Sequence, residues 1–440
     1  MRYTIDPPLP RVRHVDVIPV DHDGSRAFYV RDPLEFAPQP IVLGAAGLLI
    51  LSCLDGRHSM GQVRQVLRER LPSADIDAAE IRRLLRTLSR GCFLHDRVAA
   101  ERIALVSKEF ERATVRPAWH AGRSYPDDAG ELAAMFDRFF VEARTAIPKA
   151  MEPAAVPAAR ADAPCLAAVM CPHIDLRAGG EIYPPAFAAL AAAARDPRPI
   201  ELYVILGVAH HAGVEPGAGF AIATDKDYAT PFGQAPTSRG VIDEWSRRAG
   251  RDVTDRQTLH RTEHSVEFPL LFLHYTQARA ELPSYEVVPV LLGSVDPYLR
   301  DGADPLQAPE VSGELAALRE AVAASGKRAL YVLSVDLAHI GPKFGHADSV
   351  DDAGAATCEQ ADRALLDYAQ RFDSAGLTRS LHANGNSRNV DAISGLYSLY
   401  PLLAGGERHG TLLAYGQNRQ PDTGSLVSYA SMAFFQSTAA

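Results

Sequence analysis

Cysteine is scarce. The 440 residues carry five, Cys53, Cys92, Cys165, Cys171 and Cys358, and no two form a C-x-x-C pair. An odd, sparse set excludes a disulfide scaffold or a Cys-rich zinc module and fits a reducing compartment, so a cytoplasmic location is expected. No run of 18 apolar residues occurs, and the longest candidate, 43–54, is too short to cross a bilayer. Residues 1–17 hold Asp6 and three prolines where a secretory signal needs an apolar stretch. Positive charge is not in excess: 45 Lys and Arg face 54 Asp and Glu, a net charge of −9. That balance argues against nucleic acid and an anionic membrane as partners. The G-x-S-x-G elbow, the G-x-x-x-x-G-K-[ST] loop and the G-x-G-x-x-G fingerprint are all missing, which removes the main support for a serine hydrolase, an NTPase or a dinucleotide enzyme.

What is present is globular. Hydrophobic residues make up 47% and charged residues 22%, close to average, and the length predicts two or three domains. Residues 1–108 form a first unit. Short strands at 15–20 and 27–30 flank the hairpin signal Asp21-His22-Asp23-Gly24. Three helical patterns follow at 44–54, 60–71 (capped by Ser59) and 78–88, and 91–94 closes the unit as a strand. The order is winged-helix-like and resembles the small PqqD-type peptide-binding domains. A plain packing or dimerisation domain is the other reading. Residues 109–440 form the main unit, with an Ala/Pro-rich loop at 147–164. From 165 onward strands and helices alternate: strands at 165–170, 201–206, 285–292, 328–334, 410–415 and 426–435, helices at 183–194 and 313–324. This pattern predicts an α/β fold, a sheet covered by helices on both faces.

Three of these strands end alike. The first runs into Pro172-His173-Ile174-Asp175, the second into Gly207-Val208-Ala209-His210-His211, the third into Ser334-Val335-Asp336-Leu337-Ala338-His339. If the strands are parallel, all three clusters share the carboxyl edge of the sheet, where open α/β sheets bind ligands. Neutral imidazoles with a carboxylate suit Fe(II), Zn, Cu or Ni, and two His with one carboxylate is the facial set of non-haem iron oxygenases. A rival cluster is His260-Arg261-Thr262-Glu263-His264, literally H-x-x-E-H. On a helix His260 and His264 would share one face, as two zinc ligands of a peptidase must. A distant Glu to complete that set is not evident, since 321–358 contain none. The alternative is the start of a surface helix, with Glu263 and Glu267 one turn apart.

Seven motifs fall in a distinctive order: Arg116-Pro-Ala-Trp-His120-Ala-Gly-Arg-Ser-Tyr125-Pro, Pro172-His173, Ile205-Leu-Gly-Val-Ala-His210-His211, Thr230-Pro-Phe-Gly233, Glu263-His264-Ser265-Val-Glu267, Val288-Pro-Val-Leu-Leu-Gly293 and Ser334-Val-Asp336-Leu-Ala-His339. Over about 115–437 the chain resembles the Memo family, called AmmeMemoRadiSam system protein B in prokaryotes. The resemblance implies a mixed, largely parallel α/β sheet like that of class III extradiol dioxygenases. It also implies His173 and His210 as metal-site residues, with Glu263, His264, Asp336 and His339 at the pocket. The family's third metal-site residue is a Cys in a Cys-Gly motif. Here the matching stretch, Asn386 to Gly395, has none. Asn389 stands nearest the Cys position, and Asp391 is two residues on. An oxygen ligand in place of thiolate moves the site towards Fe(II) or Mn.

The expected protein is therefore a cytoplasmic, metal-dependent, O₂-using oxidoreductase. Its metal is a divalent transition ion, Fe(II) first and Mn, Cu or Zn as alternatives. Its substrate is a small molecule or peptide-like. His339, Asp336, Glu263 and His264 are the catalytic candidates, and His173, His210, Asp391 and Asn389 the metal candidates. A non-catalytic binding protein that retains the pocket is the alternative.

Overall fold

A computed structural model describes residues 6–22, 24–73, 76–146, 164–193, 199–212 and 219–437. The stretch 147–164 thus lies outside the described residues except for Pro164. Two compact units are present, residues 1–113 and 114–440.

In the first unit, β1 (Asp16–His22), β2 (Ser25–Arg31) and β3 (Ile41–Leu43) form an antiparallel sheet in that order. Helices Ala45–Ser52, Met60–Arg70, Ala78–Arg90 and Arg97–Arg112 follow. Reciprocal capping boxes start two of them, Ser59 with Gln62 and Asp77 with Glu80. Residues 91–94 are not a strand. Gly91 and Cys92 turn the chain, Cys92 at φ 61°. Phe93 and Leu94 are apolar because they are buried (0% and 1% exposed), and Leu94 makes only a single bridge, to Val12. The unit also runs past residue 108, because Asp96 caps a helix that continues to Arg112.

The second unit holds β4 (Val115–Arg116), β5 (Cys165–Cys171), β6 (Leu202–Val208), β7 (Ala221–Ala223), β8 (Asp227–Thr230), β9 (Gly233–Ala235), β10 (Glu286–Leu292), β11 (Ala329–Ser334), β12 (His339–Ile340), β13 (Arg408–Gln420) and β14 (Ser425–Gln436). The main sheet has the order β12-β14-β5-β11-β6-β10-β7, with β13 also paired to β14, and β4-β8-β9 form a small separate sheet. At its centre β5, β11, β6 and β10 run parallel. β14 joins β5 and β7 joins β10 antiparallel. The sheet is thus mixed, with a parallel middle.

Both faces are covered, which is why the central strands read as unbroken apolar runs. Along β6, Leu202, Val204 and Leu206 enter one core with Trp245, Leu315 and Leu396 from the helices Arg239–Ala249, Pro309–Ala324 and Ile393–Leu402. Tyr203 and Ile205 enter the opposite core with Phe136, Phe187 and Phe272 from Ala129–Ala146, Pro184–Ala193 and Glu267–Ala280.

One buried ion pair ties the start of this unit to the helix Glu267–Ala280. The side chains of Arg116 and Glu267 are both 0% exposed and in direct contact. Arg116 also donates to the carbonyls of His260 (3.1 Å) and Glu263 (2.8 Å). Glu267 accepts from the Tyr125 hydroxyl and from the backbone N–H of Trp119 and His120. The opening motif, Arg116 to Tyr125, is therefore a clasp around one carboxylate.

Removing one partner of a buried pair leaves the other charge uncompensated. Glu267→Leu should destabilise the second unit by about 3–5 kcal/mol, read as a lower denaturant midpoint; a parental midpoint would show that the clasp is dispensable. A chain beginning at Thr114 should fold on its own with the same midpoint for this unit, whereas insolubility would mean that the two units share a core.

Candidate metal centre

His173 and His210 each lie two residues beyond a parallel strand, β5 and β6, so both rise from the same edge of the sheet. His264 comes from the segment joining the 3-10 turn Gln257–Arg261 to the helix Glu267–Ala280. The possible ligand atoms of the three lie within 4.8 Å of one another. Ring centroids are 4.9 Å apart for His173 and His210, 5.1 Å for His173 and His264, and 5.0 Å for His210 and His264.

Each ring is aimed by its Nδ1. His173 Nδ1 donates to the carbonyl of Ser334, the last residue of β11, at 2.9 Å. His210 Nδ1 donates to Glu263 at 3.0 Å, and His264 Nδ1 meets the same carboxylate at 3.1 Å. A carbonyl or a carboxylate can only accept here, so each Nδ1 carries a proton; Nε2 of His210 and His264 is left as a ligand, and Nε2 of His173, which meets Asp391, becomes one once its proton is displaced. Metal-binding histidines are oriented in this way. Glu263 is itself fixed by the N–H groups of His264 (2.8 Å) and Ser265 (3.1 Å). Ser265 staples the segment to β6, its hydroxyl donating to the Val208 carbonyl (3.1 Å) and accepting the Val208 N–H (3.0 Å). The approach needs a glycine at 207, where a Cβ would lie 2.5 Å from Ser265 Oγ.

Carboxylates close the rest of the site. Asp391 Oδ2 is 3.1 Å from His173 Nε2, and its Oδ1 is 4.0 Å from His210 Nε2. Its backbone N–H donates to the Leu337 carbonyl (3.0 Å), and its carboxylate accepts from the Asp336 N–H (3.4 Å). Asp336, 3% exposed, accepts the N–H groups of His173 (3.0 Å) and Ile174 (3.2 Å). It shapes the turn that presents His173.

Charge is strongly perturbed here. Burial opposes charging His173, but Asp336 and Asp391 outweigh it and push the imidazole up to about 10. His210 is likewise raised, burial being outweighed by Glu263. Burial pushes His264 down to about 4 against the pull of Glu263. Burial would raise Glu263 and Asp391, yet the neighbouring imidazoles hold both well below the carboxylate range. The field of Glu263, Asp336 and Asp391 asks for positive charge among the imidazoles, and a divalent transition ion on three neutral nitrogens meets that demand. The donor set fits such an ion.

Other candidates fall differently. His339 sits on β12, its Nδ1 donating to the carbonyls of Leu337 (3.2 Å) and Asn389 (3.3 Å), its ring edge-on to Phe344. It is outside the three-imidazole group but close enough to Asp391 to stabilise that carboxylate. Asn389, at φ 47°, turns its amide to the carbonyls of His339 (3.2 Å) and Phe344 (3.3 Å). Its side chain serves the loop and not the imidazoles. His260 is not a partner of His264. It is fully buried, its Nδ1 bonded to Tyr228 OH (2.8 Å) and its Nε2 to the Ile222 carbonyl (3.0 Å). The H-x-x-E-H stretch is a 3-10 turn followed by irregular backbone, not an α-helix, so the two histidines share no face. Glu263 and Glu267 are buried, at 4% and 0% exposure, and do not open a surface helix.

Glu263→Gln keeps the shape but exchanges an acceptor-only carboxylate for an amide. Loss of such an orienting partner should weaken metal affinity about 10–100-fold, measured by titration with Mn(II) under nitrogen. Unchanged affinity would remove Glu263 from this role.

The family model for Memo-like protein matches residues 116–433. A MEMO1 family protein of Aquifex aeolicus is 23% identical over 427 residues, covering 97% of this chain and 100% of its own. One from Thermus thermophilus is 29% identical over 338 residues, 77% of this chain and 87% of its own. One from Methanopyrus kandleri is 26% identical over 318 residues, 71% and 96%. From the clasp at Arg116 to the end of the sheet, the chain belongs to the Memo-like protein family.

Proposed function

We propose that the protein is a mononuclear metal protein that oxidises a small or peptide-like substrate with O₂. The observation that carries the metal part is the convergence of three imidazoles, each held by its Nδ1, beside a carboxylate. His173, His210 and His264 would hold the ion, with Asp391 adding charge and a possible further oxygen donor. Fe(II) is the ion we favour for an imidazole and carboxylate set; Mn, Cu and Zn suit the same donors. When bound, such an ion supplies a Lewis-acid centre with positions open to substrate and O₂.

The chain's own residues have separate tasks in this reading. Glu263 holds two imidazoles in one tautomer. Asp336 fixes the turn before His173. His339 commits Nδ1 to carbonyls, which leaves Nε2 to take a proton from substrate or return one. The five cysteines are free, which suits the reducing cytoplasm we assign it. No described helix is long and apolar enough to cross a membrane.

Protein purified without oxygen should retain Fe(II) by elemental analysis and consume O₂ when substrate is supplied. Asp391→Ala should lower Fe(II) affinity more than Asn389→Ala, because only Asp391 faces the imidazoles. Equal, parental affinities would exclude both as ligands. If the parent binds no transition ion at all, a non-catalytic binding role for the same pocket replaces this reading.

A further inference from the structure

A cavity of about 260 Å³ opens beside His210 and Asp391. Its walls come from the end of β6, the turn after β10 with Gly293, Ser294 and Asp296, the loop carrying Asn386, and the start of the helix Ile393–Leu402. It is small beside the roughly 300–1,000 Å³ of drug-sized sites. Its charged lining is acidic, Asp296 and Asp391, and neither Lys nor Arg contributes to it.

The two carboxylates differ. Asp391 is spoken for by His173 Nε2 at 3.1 Å. Asp296 meets no cation among the described residues. Its Oδ1 accepts the Asn386 amide N–H at 3.2 Å. That amide is locked in turn, since Asn386 Oδ1 accepts the Val390 N–H (2.7 Å) and its Nδ2 also donates to the Val390 carbonyl (3.2 Å). Asp296 is therefore an oriented carboxylate on the cavity wall without a counter-charge among the described residues. With Asp391 already paired, an anionic ligand would still meet the Asp296 carboxylate with no described cation to offset it, which opposes binding. A ligand with an ammonium group would supply the missing partner through a charge-assisted hydrogen bond.

We propose that this cavity selects a small organic cation: an ammonium group paired with Asp296, and an oxygen-bearing end turned to the imidazoles. Asp296 is then a specificity residue, remote from the reacting end. The inference rests on the metal reading above, and it names the substrate class of that site.

Three hydroxamates test it, since each offers a metal the same bidentate head and differs in tail charge: glycine hydroxamate (cationic), acetohydroxamate (neutral) and succinic acid monohydroxamate (anionic). Metal binding is titrated first, with Mn(II) on the full chain; affinities of the three probes for the loaded protein follow. The expected order is cation over neutral over anion, with at least about tenfold between the first and last. In Asp296→Asn the order should flatten while Mn(II) affinity stays parental. A flat or reversed order in the parent protein overturns the proposal without touching the metal reading, and needs no variant to fold. A cation preference that survives in Asp296→Asn overturns the assignment to Asp296. Bound metal with no probe bound separates the cavity from the metal and also overturns it. Failure to bind Mn(II), Fe(II) or Zn(II) overturns the metal reading itself, and this inference with it.

Discussion

The buried contact between Arg116 and Glu267 is the constraint on which the site depends. A guanidinium and a carboxylate withdrawn from water must find donors and acceptors for every polar edge, or the desolvation penalty exceeds the attraction. Arg116 meets that demand with the carbonyls of His260 and Glu263, and Glu267 meets it with Tyr125, Trp119 and His120. The two carbonyls that Arg116 holds lie in the segment that presents Glu263 and His264. Arginine reaches its two carbonyls and the carboxylate from three separate nitrogens of one planar fork, a spread that a point-like lysine ammonium does not offer. Charge compensation in the interior thus sets the shape of a loop that has no regular structure of its own.

From that loop, order passes to the imidazoles. Glu263 aims two of them, and the end of β11 aims the third. The parallel centre of the sheet supplies the common edge, and the segment 388–391 is drawn against 337–339 by backbone hydrogen bonds, His339 N–H to Arg388 O (2.8 Å) and Asp391 N–H to Leu337 O (3.0 Å). Behind it, Asp362 is fully buried and pairs with Arg388, while Tyr415 and Ser428 donate to the same carboxylate. Two acid–arginine pairs therefore flank the centre, a fully buried one securing the loop of His264 and a partly buried one the loop of Asp391.

Much of this was legible in the sequence where side-chain chemistry follows directly on a strand. His173 and His210 stand out because an apolar run ends just before them, and the parallel sheet then brings those ends together. The cap at Ser59 was readable because capping is local. His264 as a member of the imidazole group was not, because H-x-x-E-H suggests a helix and nothing in its spacing reveals that the backbone there is shaped by Arg116, 147 residues from Glu263. The helix Arg97–Arg112 was hidden for a different reason. Val98 and Leu105 are 41% and 50% exposed, so its apolar stripe is blurred. Likewise Phe93 and Leu94 look like a strand because burial, not pairing, selects their side chains.

The position of β14 bears on how the protein comes to exist at all. Met432 pairs with Met170, and Ala433 with Val169, so a strand made late in synthesis lies between the hairpin partner β13 and β5, the strand that leads to His173. The neighbour of β5 on that side is supplied by a strand about 260 residues later in the sequence. Contacts of such sequence separation slow folding and leave strand edges open in the meantime. The turn that carries His173 therefore gains its β14 neighbour late, by a contact that spans most of the second unit's sequence.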